Sequence, residues 1–65
     1  MNSMGKIKGI ITKVNKITVS VRLMEQPPLD IDKKYFKFSD IKVNQEVYYQ
    51  IVEIDGKNFQ VLTKV

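Results

Sequence analysis

The chain contains no cysteine, no histidine and no tryptophan. Without cysteine there are no disulfide staples and no thiolate metal sites. Without histidine it lacks the commonest zinc ligand and the commonest general base at neutral pH. Apolar runs reach only two or three residues, far short of a membrane span. No N-terminal hydrophobic segment reads as a signal peptide, so the cytoplasm is the expected location. No phosphate loop, nucleophile elbow or dinucleotide fingerprint is present. Asp30 and Asp32 flank Ile31 in a stretch that reads as a solvated loop, and two such side chains are too few for a hard-cation site. These absences argue against an enzyme, a cofactor or a resident metal. They point to a protein that binds.

What is present fits one small domain. Sixty-five residues, 43% hydrophobic and 28% charged, describe an ordinary folded chain spanning 1–65 as a single unit. At this size only about 60% of the unfolded surface is buried, so the core must be economical. Charge is unevenly spread. Residues 1–24 hold Lys6, Lys8, Lys13, Lys16 and Arg22 and no acid, a net of +5; residues 25–65 hold six bases and seven acids, a net of −1. A one-sided basic segment attracts a polyanion such as nucleic acid, or an acidic protein surface. Lysines on strands also block edge pairing, which is the plainer use of the same residues.

The patterning is β throughout. Residues 6–14 read as a strand rich in β-branched side chains. Asn15-Lys16 supplies a turn, and residues 17–23 alternate, with Ile17, Val19, Val21 and Leu23 on one face and Thr18, Ser20 and Arg22 on the other. Residues 24–34 break the pattern at Pro27-Pro28 and read as a loop, with Leu29 and Ile31 tucked against the body of the protein. Tyr35-Phe36-Lys37-Phe38 makes a short third strand, and Ser39 caps a single helical turn. Glu46–Ile54 and Asn58–Lys64 form a final hairpin around Asp55-Gly56, with Phe59, Val61, Thr63 and Val65 sharing a face. An all-β, five-stranded antiparallel barrel follows, its strand order favouring the OB-fold over the SH3-like barrel.

Several short motifs carry a family resemblance. Gly5-Lys6-Ile7-Lys8 matches an opening Gly-x-Val-Lys, and Tyr35-Phe36-Lys37-Phe38-Ser39-Asp40-Ile41 is similar to Val-Phe-Val-His-Phe-Ser-x-Ile. Residues 44–53 are similar to Gly-Gln-x-Val-x-Phe-x-Ile-Val-Glu, and Leu62-Thr63-Lys64 to a closing Val-Thr-Lys. The chain thereby resembles a cold-shock domain, an OB barrel that binds single-stranded RNA and DNA. The family's base-stacking aromatics are mostly replaced. Gly9-Ile10-Ile11 stands where the family has Trp-Phe-Asn, and Lys16-Ile17-Thr18-Val19-Ser20-Val21 has no aromatic at all. Of the binding residues the resemblance implies, Lys8, Tyr35, Lys37 and Phe38 remain, with Lys37 in the place of a stacking histidine.

Alternation directs Lys6, Lys8, Thr18, Ser20, Arg22, Tyr35 and Lys37 outward together. Tyr35 and Tyr48 are the expected exposed rings, whereas Phe36, Tyr49 and Phe59 are expected to fill the interior. Phe38 faces the ligand by its motif and the core by its parity with Phe36. Two functions follow. One is a non-catalytic module holding single-stranded RNA or DNA weakly, mainly through charge on Lys6, Lys8, Arg22 and Lys37, with Tyr35 and Phe38 stacking. The other is a small accessory or inhibitor-type protein that keeps the barrel and meets an acidic protein surface.

Overall fold

The computed structural model describes residues 2–3 and 5–65. Six strands run in chain order: β1 Asn2–Ser3, β2 Ile7–Val14, β3 Thr18–Leu23, β4 Leu29–Asp32, β5 Glu46–Ile54 and β6 Lys57–Lys64. All belong to one antiparallel sheet, and the single 3-10 turn at Lys33–Tyr35 is the only helical element among the described residues. No helix there is long and apolar enough to cross a membrane. β2 is paired along both edges, with β3 on one side and the first half of β5 on the other. β4 continues outward from β3, and β6 from β5. The two ends of the sheet meet at one parallel bridge, Phe36 with Leu62, where the Lys37 amide donates to the Leu62 carbonyl at 2.9 Å. Among the described residues no continuous ladder closes the sheet.

The core is built from period-two alternation. Ile11 on β2, Val19 and Val21 on β3, Ile31 on β4, Val47 on β5 and Leu62 on β6 are all buried, with Phe36 joining them from beyond the 3-10 turn. A bulge between Ile11 and Lys13 adds Thr12 to β2 without a partner. The extra residue lets Val14 and Val19 pair inward while Lys13 and Ser20 pair outward. Thr12 turns its hydroxyl to the Ser20 carbonyl at 3.3 Å. The Asp55-Gly56 turn has positive φ at both residues, 52° and 77°, the conformation that twists a two-residue hairpin correctly.

Several sequence expectations are corrected. Residues 24–34 are not all loop: Leu29–Asp32 is a strand, because Pro27-Pro28 precede it and cost it no ladder hydrogen bond. Residues 35–38 are not a strand. Asp32 caps the 3-10 turn by accepting from the Lys34 amide at 2.9 Å, and only Phe36 bridges onward. No helical turn forms at Ser39. Ile17 lies before β3 and is 65% exposed, and Leu29, at the start of β4, is also exposed. On β6 the register with β5 opposes Tyr49 to Leu62, so Leu62 is buried while Phe59 and Val65 are exposed.

Gly9 sits inward on β2 where β3 approaches closely. An added Cβ would lie 2.6 Å from Leu23 Cδ2, 3.0 Å from Val21 Cγ1 and 3.1 Å from the Arg22 carbonyl oxygen. Gly9→Ala is expected to destabilise the protein by about 1–3 kcal/mol through overpacking, read as a lower urea midpoint at unchanged slope. At the other end, Lys64 donates to Asp40 and holds that carboxyl below its ordinary range, with slight desolvation opposing. A depressed carboxylate stabilises the fold above its unfolded pKa and loses that contribution as pH falls through the folded value. Lys64→Met should return the Asp40 midpoint upward in a carboxyl NMR titration; an unmoved midpoint would refute the pairing.

Candidate nucleic-acid interface

The outer face of β2, β3 and the start of β5 gathers part of the expected site. Ile10 lies between Arg22 on β3 and Glu46 on β5, and Lys8 lies opposite Tyr48. Lys8, Arg22 and Glu46 line a shallow cleft of about 250 Å³ floored by Gly9 and Ile10 and flanked by Met24. Lys8 Nζ stands 3.7 Å from Glu46 Oε2, an exposed pair worth little by itself. Lys6 Nζ sits 5.4 Å from the Tyr48 ring centroid, a cation–π contact on the same side. The bulge turns Lys13 onto this face beside Ser20. Lys13 is an addition to the expected set, and an irregularity that no alternation rule reveals put it there.

Thr18 and Ser20 share the outward direction but meet acids. β4 opposes Ser20 to Asp30 and Thr18 to Asp32. Ser20 is 8% exposed, and its hydroxyl donates to Asp30 Oδ1 at 2.6 Å. Thr18 Oγ1 accepts from Asn15 Nδ2 at 3.2 Å. Both hydroxyls are therefore engaged internally, and the two carboxylates bound the basic strip on its β4 side.

Tyr35, Lys37 and Phe38 lie elsewhere. Tyr35 and Phe38 pack partly against the core, Phe38 edge-on to Phe36 with ring centroids 5.8 Å apart. Lys64 Nζ, paired with Asp40, lies 5.9 Å from the Phe38 ring. Tyr35 and Lys37 line a second groove of about 590 Å³ against the outer face of β5 and β6. This groove shares no residue with the Lys8–Arg22 cleft. The expected single basic face is thus two surfaces, because residues 33–37 cross from β4 to the far edge of β6. Phe59 and Val61 do share a face, as alternation predicts, but that face lines this groove and Phe59 is exposed.

Ser20→Ala removes a hydrogen bond to a carboxylate and is expected to cost about 1 kcal/mol in urea unfolding. Oligonucleotide affinity should stay unchanged, since the hydroxyl already has its partner; a parallel loss of affinity would make Ser20 a contact residue. In comparisons with known proteins, no family model, no curated protein and no solved structure matches the chain.

Proposed function

We propose that this protein is a non-catalytic module on an OB-type barrel that holds single-stranded nucleic acid, with Lys6, Lys8, Lys13 and Arg22 along β2 and β3 as its contacts. The fold part of the reading is supported by the pairing of β2 with both β3 and β5 and by the parallel bridge from Phe36 to Leu62. The OB-fold is a five-stranded, partly open barrel, and a sheet whose ends meet at a single bridge fits that description. The carrying observation for the ligand is the cluster of Lys6 over the Tyr48 ring beside Lys8 and Arg22. Cations follow the phosphates and a ring offers a stacking face, which is how sequence-tolerant single-strand binders work. Asp30 and Asp32 repel phosphate, so the strand's path runs along β2 and away from β4. Tyr48 is the one ring beside these cations, so affinity is modest and strongly salt-dependent.

Fluorescence anisotropy with a labelled oligothymidylate or oligouridylate of about 12 nucleotides tests this. With up to four phosphate contacts, log affinity should fall against log salt with a slope of about −3. Lys8→Glu with Arg22→Glu should abolish binding, and Tyr48→Ala should weaken it by about 1–3 kcal/mol. Lys57→Glu makes a charge reversal on β6 and should change little. No binding at low salt, or equal sensitivity to Lys57→Glu, would overturn the proposal.

A further inference from the structure

The groove beside β6 differs in kind from the basic strip. Cross-strand pairing of Val52 with Phe59 and of Gln50 with Val61 puts Val52, Phe59 and Val61 on one outer face. Ile54 extends that floor; it is 47% exposed and Phe59 is 41% exposed. Tyr35 forms a wall, its ring held under Lys34 Nζ at 5.2 Å. Lys34 and Lys37 line the groove, and among the described residues no carboxylate does. Among the described residues, β6 has a ladder partner only on its β5 side, apart from the one bridge at Leu62.

From this arrangement we infer that the groove docks an extended segment of a protein partner that alternates apolar side chains with carboxylates. Apolar side chains of such a segment cover Val52, Ile54, Phe59 and Val61, its carboxylates meet Lys34 and Lys37, and its backbone lies along the unladdered edge of β6. Charge complementarity selects this occupant. A second copy docking groove to groove would bring the Lys34 and Lys37 ammonium groups of both copies together. A nucleic acid strand would find the Tyr35 ring already covered by Lys34 and Phe59 as the remaining ring on a floor of Val52, Ile54 and Val61, whereas the unladdered edge of β6 offers main-chain groups that an extended peptide pairs with. The inference is independent of the nucleic-acid reading, since the two surfaces share no residue.

The test uses the full chain and a fluorescein-labelled peptide of about ten residues alternating Leu or Phe with Asp or Glu. Saturable binding is expected, with no binding of the same peptide carrying Lys in place of the acids. Lys34→Glu with Lys37→Glu should weaken binding by about tenfold or more, and Ile54→Ser by about threefold or more. The Lys-bearing peptide should in turn bind the doubly reversed variant, a rescue that a misfolded variant does not give. Oligonucleotide affinity of that variant should be unchanged. Peptide affinity indifferent to these substitutions would overturn the inference. So would sedimentation showing self-association that Phe59→Ser abolishes, or displacement of the peptide by an oligonucleotide.

Discussion

Pairing of β2 along both its edges is the constraint on which the rest of the molecule depends. A strand held between β3 and β5 cannot slip, because a one-residue shift would turn Ile11 outward and Lys8 inward against two neighbours at once. On its β3 side the strand is crowded, and Gly9 has no side chain where Leu23, Val21 and the Arg22 carbonyl converge. Among the described residues seven buried apolar side chains make the core, six of them on strands of this sheet and Phe36 bridged to it at Leu62.

Charge along the chain is not charge across the surface. The first 24 residues carry five cations and no acid, yet β4 and β5 fold acids against them. Asp30 and Asp32 face Ser20 and Thr18, and Glu46 stands beside Lys8. What remains is a strip rather than a basic face, narrow because the hairpin borrows its neighbours' carboxylates. Residues 25–65, with six bases against seven acids, supply the groove, whose lining among the described residues contains two lysines and no acid. Partner selection therefore rests on which strands become neighbours more than on the totals.

Four strands were legible in the residues because each repeats apolar side chains at period two between turn residues. The rest failed for identifiable reasons. The alternation of Leu29-Asp30-Ile31-Asp32 was present but masked by the two prolines before it, which end one segment and start another. Tyr35–Phe38 has strand composition, yet the Asp32 cap winds the first of these residues into a 3-10 turn. On β6, Phe59, Val61 and Val65 outweigh Leu62 by count, so periodicity alone picks the wrong face; only the register with Tyr49 decides. Lys8 and Arg22 line one cleft because a short hairpin fixes them. Tyr35 and Lys37 do not join them, because their position depends on a crossing no local pattern encodes.

The single bridge between Phe36 and Leu62 has a mechanical meaning. Everywhere else the sheet is fastened by ladders, but here its ends are held by one clasp carrying the Lys37 amide bond. Releasing a hydrogen bond of that kind takes only about 1 kcal/mol net. Since Lys37 also borders the groove, that wall hangs on the weakest seam of the sheet, one that can part without unpicking a ladder.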